Sequence, residues 1–123
     1  MITASGPMKE KSLLFAVRIV NLCRYLNEEK AEYILSKQIL RSGTNPGAMV
    51  REAENAESGS DFIHKLFIAQ KEIAETQYWL ELLFKSQYIK ENEFNSIYKD
   101  SMELMKLFRS AILTRKKNLK NKG

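Results

Sequence analysis

Residues 61–86, DFIHKLFIAQKEIAETQYWLELLFKS, carry the pattern that decides the fold. Projected at 100° per residue, Phe62, Leu66, Ala69, Ile73, Leu80 and Phe84 form a main stripe. Ile63, Phe67 and Ala74 widen it on one side, while Ile68, Trp79 and Leu82 occupy another. That periodicity predicts a long helix from about Asp61 to Ser86. Ser58-Gly59-Ser60-Asp61 punctuates its start, and either Ser58 or Ser60 can cap it. One bundle core cannot use all of these faces, so the surplus at Phe67, Ile68 and Trp79 predicts a homo-oligomer.

The same spacing recurs on both sides. Upstream, Phe15, Ile19, Leu22 and Leu26, with Leu13, Ala16, Val17, Val20 and Cys23 beside them, predict a first helix over Lys9–Leu26 that is apolar on most of its surface. Asn27 before Glu28-Glu29 reads as the cap of a second helix carrying Tyr33, Ile34, Leu35, Ile39 and Leu40. Turn residues crowd at Arg41–Gly47. There Pro46 allows either a break or a kinked continuous helix, and Ala48, Ala53 and Ala56 favour the kink, with the helix ending near Ala56. Downstream, Phe94, Ile97, Tyr98, Met105, Phe108 and Ile112 predict a fourth helix over Glu91–Lys116. Segments of roughly 18 to 28 residues reach about 27 to 42 Å at 1.5 Å per residue. Short links between them force antiparallel neighbours. The expectation is a single-domain, all-α, antiparallel up-and-down four-helix bundle over residues 9–116. Residues 1–8 are expected to be an unstructured tail or an expression remnant, and 117–123 a basic flexible tail.

At 123 residues the chain is too short for a large multi-domain enzyme and long enough for one packed core. No apolar run reaches the roughly 18 residues a membrane span needs, and no signal-like segment opens the chain. A lone Cys23 forms no internal disulfide, so a reducing cytoplasm is the expected location. One Cys and one His assemble no zinc site, and His64 has no second imidazole to work with. His64 reads as a surface or interface residue and Cys23 as a buried small hydrophobe. The nearest approach to a di-metal helical motif is Glu72 and Glu75 at i, i+3, which lacks its histidine. Those two read better as salt-bridging groups, with Arg41 or Arg51 as cross-helix partners. No catalytic residue, cofactor or metal site is expected.

The formal net charge of +5 is unevenly placed. Arg109, Arg115, Lys116, Lys117, Lys120 and Lys122 follow one another with no acid between Arg109 and the end of the chain. Such a run suits phosphate neutralisation, and it equally suits a solvated helix end whose cations complement the helix dipole. No aromatic is interleaved with these residues, so the nucleic-acid reading points to backbone contacts rather than base stacking.

Leu35–Thr44 (LSKQILRSGT), Arg51-Glu52-Ala53, Ser60–Lys65 (SDFIHK), Ala69–Glu72 (AQKE) and Glu75–Leu80 (ETQYWL) together resemble the four-helix bundle family associated with intervening sequences in bacterial 23S ribosomal RNA genes. The resemblance covers about Lys9–Thr114. It implies a left-handed antiparallel bundle, commonly a ring-like homopentamer, with no established enzymatic activity. The chain is also similar to the accessory variability proteins of diversity-generating retroelements, which implies RNA or DNA and a reverse transcriptase as partners. Arg41, Ser42, Lys71, Glu72, Glu75, Tyr78 and Trp79 carry over as packing and interface positions. Asn45-Pro46-Gly47 stands where family members often read Ser-Ile-Gly or Ser-Ile-Pro, so helix two departs from the family pattern there. Three functional classes follow: a non-enzymatic oligomeric scaffold that binds nucleic acid or its processing enzyme, a purely protein-binding or structural bundle, and, least supported, an enzyme.

Overall fold

The computed structural model describes residues 6–122, with the side chain of Lys122 excluded; Met1–Ser5 and Gly123, parts of the two expected tails, lie outside the described residues. Four helices follow in order: α1 Gly6–Lys30, α2 Leu35–Glu54, α3 Gly59–Lys85 and α4 Glu91–Lys122. There is no strand among the described residues, and the chain is a single-domain, all-α four-helix bundle.

The core is filled from all four helices. Phe15, Ile19 and Leu26 of α1 meet Ile39 and Val50 of α2, Leu66, Ile73, Leu80 and Leu83 of α3, and Leu104 and Phe108 of α4 in one buried cluster. On α3 the expected stripe is the buried one at Leu66, Ala69, Ile73 and Leu80, while Phe62 and Phe84 are partly buried at its ends. Ser58 is the cap of α3, its hydroxyl accepting from the Asp61 N–H at 3.0 Å.

α2 is the narrow member of the bundle. Its buried side is Ser36, Ile39, Ser42, Gly43, Pro46, Val50 and Ala53. A Cβ placed on Gly43 would stand 2.6 Å from Ile19 Cγ1, so the absent side chain is what lets α1 close on α2. Across the other flank, the Thr76 hydroxyl lies 2.9 Å from that of Ser42 inside the α2–α3 contact. Pro46 sits within α2, which continues unbroken to Glu54, as expected over a break.

The α1–α2 connection differs from its expected form. α1 runs on to Lys30, so Asn27, Glu28 and Glu29 form its last turn rather than the opening of helix two. Ala31, at φ 52°, turns the chain out of the helix, and Glu32 then does the capping. Its buried carboxylate accepts from three backbone N–H groups, those of Ile34 (3.0 Å), Leu35 (2.9 Å) and Ser36 (2.8 Å). Those are the orphan donors that open α2. Asn27 instead meets the Ser36 hydroxyl at 2.9 Å.

Both expected tails are shorter than the sequence suggested. Gly6, Pro7 and Met8 belong to α1 and Met8 is part of the core, because Pro is suited to a first helical turn and Met8 finds an apolar cleft with Phe62, Leu107 and Ala111. α4 continues as helix to Lys122 instead of ending at Lys116, with Leu119 packed at Gly59.

Two outcomes are expected. Glu32→Ala leaves the start of α2 uncapped and should lower stability by about 2 kcal/mol, read as a fall in the urea midpoint at constant slope. Cys23 is buried, its Sγ donating to the Ser36 carbonyl at 3.2 Å. Burial, aided by the negative charge of Glu32, pushes its thiol up to about 11. Because the thiolate is the nucleophile, alkylation of the folded protein at pH 8 should run on the order of 100-fold slower than for an ordinary thiol and recover in denaturant.

Candidate nucleic-acid interface

α4 is the longest helix, and its two sides have opposite chemistry. Asp100 and Glu103 face α1. Asp100 accepts from Arg18 at 2.7 Å, Glu103 pairs with Lys11, and Arg18 also reaches the Ser96 hydroxyl at 3.1 Å. The acids in the middle of α4 are thereby committed to the α1–α4 seam. On the other side, Lys99, Met102, Lys106, Arg109, Leu113, Lys117 and Lys120 share an exposed face with Lys116 at its edge. From Lys99 to Lys120 this ridge is about 32 Å long at 1.5 Å per residue and carries no acid. None of its cations joins an ion pair among the described residues.

Of the six expected cations, five have described side chains, and these separate into two groups. Arg109, Lys116, Lys117 and Lys120 are exposed. Arg115 is half-buried, its guanidinium 4.1 Å from the centre of the Phe62 ring, so it ties α4 to α3 rather than projecting freely. The backbone of Lys122 closes α4, and its side chain lies outside the described residues. Lys116 sits 5.1 Å over the ring of Phe67, which is 41% exposed. An aromatic therefore does stand beside the basic run, supplied by α3 and invisible in the linear order. Lys99 and Lys106 were missed; their signal was the helical period running back from Arg109.

Several of the expected oligomer positions on α2 and α3 also have partners within the chain. Arg41 donates to Glu72 at 3.0 Å and pairs with Glu75, and the Trp79 indole N–H donates to the same Glu75 carboxylate at 3.0 Å. This settles Arg41 rather than Arg51 as the cross-helix partner. Trp79 and Ile68 are half-buried, Trp79 against the core, and Tyr78 packs edge-on to Trp79 at 5.0 Å between ring centres. Ile68 and Trp79 are thus partly covered within one bundle. Phe67, Lys71 and Tyr78 remain exposed along α3. The larger exposed apolar face is on α1, at Leu13, Leu14, Val17 and Val20.

A cleft of about 480 Å³ lies where α4 overhangs the start of α3, lined by Gly59, Arg115, Asn118, Leu119 and Asn121. It is polar on the α4 side and continuous in sequence with the ridge. Chemically, the ridge offers spaced cations that join no ion pair among the described residues, an arrangement suited to phosphates.

Comparison with known proteins places this geometry in a family. The pattern of the family described as 23S rRNA-intervening sequence protein matches residues 7–110. A solved structure from Bacteroides thetaiotaomicron, described as a protein with unknown function from the S23 ribosomal protein family, is 55% identical and superposes with a TM-score of 0.88. That match covers 89% of this chain and 98% of the other. No curated protein matches. The family match takes in Lys99, Lys106 and Arg109 and stops before Arg115, so the far end of the ridge lies beyond it. With its four helices and its match over most of its length, the chain belongs to the 23S rRNA-intervening sequence protein family.

Proposed function

We propose that this chain is a non-enzymatic, homo-oligomeric helical scaffold that binds nucleic acid through the outer face of α4. The observation that carries this reading is the acid-free, exposed ridge of Lys99, Lys106, Arg109, Lys117 and Lys120, none of which joins an ion pair among the described residues. Binding would be led by phosphate contacts, weakly selective for sequence and strongly dependent on salt. Within this reading the bundle is up-and-down, antiparallel and left-handed, the location cytoplasmic, and the assembly the ring of five that the family resemblance implies. A nucleic-acid-processing protein that shares the bound strand is a compatible partner.

A second reading, a purely protein-binding or structural bundle, draws on the exposed apolar face of α1. The two readings part over the ridge. Fluorescence anisotropy with a labelled duplex and a labelled single strand, repeated over a salt series, measures it. Lys106→Gln, Arg109→Gln and Lys117→Gln combined should weaken binding at least tenfold and flatten the log K against log salt slope by about two to three, with helicity unchanged because all three are exposed. Unchanged affinity in the triple variant, or no binding at low salt, would favour the second reading.

A further inference from the structure

We propose that α1 pairs with α1 of a second copy across a two-fold axis at Val17. The inference deepens the self-association half of the function proposed above and rests on it. Leu13, Leu14, Val17 and Val20 are 51%, 56%, 48% and 38% exposed. They lie on the side of α1 away from Phe15, Ile19 and Leu26, which fill the core. Scattered apolar residues on a surface are ordinary, but four large ones within two turns of one helix face form a patch. Glu10, Asn21 and Arg24, all exposed, complete the same face.

The order of these residues selects the occupant. A dyad at Val17 brings each residue opposite the one equally far along the helix in the other direction. Leu14 then meets Val20, Leu13 meets Asn21, and Glu10 meets Arg24, each contact occurring twice by symmetry. The apolar centre is matched to itself, and opposite charges meet at both rims. Neither Glu10 nor Arg24 takes part in an ion pair among the described residues. Arg24 donates to Asn21 at 3.1 Å, along the face itself. A parallel arrangement would set Glu10 against Glu10, so charge complementarity fixes the antiparallel one. Beside the patch, Leu13 and Ala16 border a shallow cleft with Thr44, Gly47 and Ala48 of α2, which widens the surface available to the partner helix. A ring built from head-to-tail contacts leaves such a dyad free to join two rings.

The test is a symmetric cross-link. In the full chain carrying Cys23→Ser, Val17→Cys places one thiol at the axis, and mild oxidation should give a covalent pair at twice 14.3 kDa and no longer ladder. Separately, Glu10→Arg and Arg24→Glu should each weaken association about three- to tenfold in sedimentation, and their combination should restore it. A multimer that does not cross-link through position 17, or a double variant that stays weakened, overturns the dyad while leaving the scaffold reading in place. A protein that is monomeric at micromolar concentration overturns both. Nucleic-acid binding is read by anisotropy and is independent of either result.

Discussion

The thinness of α2 is the constraint on which the other three helices depend. Ser36, Ser42, Gly43 and Ala53 leave little between its backbone and its neighbours, so α1 and α3 both close on it and share its two flanks. Gly43 is the decisive position, because Ile19 occupies the space that any side chain there would need. Gly and Pro are poor interior helix residues, by about 1 and 3 kcal/mol relative to Ala. Their presence in an unbroken helix means that packing, not intrinsic propensity, holds α2 together. Glu32 completes the arrangement by satisfying the donors at the start of α2 before the helix enters that tight space.

Charge is distributed by the same architecture. Acids are drawn into the seams between helices: Glu72 and Glu75 meet Arg41, Glu52 meets Lys65, Glu54 meets Lys9, and Asp100 and Glu103 meet Arg18 and Lys11. Of the cations not used in this way, Lys99, Lys106, Arg109, Lys116, Lys117 and Lys120 lie exposed on α4. Along that face of α4 the cations stand without an acid among them. Ion pairs of this exposed kind contribute little stability each, so their main effect is on where the unbalanced charge appears.

Much of this was legible in the residues and some was not, for identifiable reasons. The 3.6-residue period gave all four helices and the buried stripe of α3, since burial imposes that period directly. Arg41 with Glu72 and Glu75 was also legible, because two carboxylates one turn apart invite a guanidinium. The ending of α1 was not, because Ala31 adopts a left-handed conformation that alanine seldom takes and Glu32 caps with a carboxylate set back from the helix it serves. The length of α4 was hidden because residues 117–123 read as a charged tail until Leu119 is seen packed at Gly59. The extension of the ridge back to Lys99 follows the helical period, and the fold adds that Asp100 and Glu103 are engaged on the other side.

The seam between α1 and α4 has a different consequence. Of the four neighbouring helix pairs it is the loosest, spanned by two exposed ion pairs beside the shared core. The α2 seams carry ion pairs too, but there they lie over far more extensive packing. The molecule therefore has a grain. The first and last helices should part before the α2–α3 pair does, giving amide exchange in the bundle a directional order that follows how tightly its seams are packed.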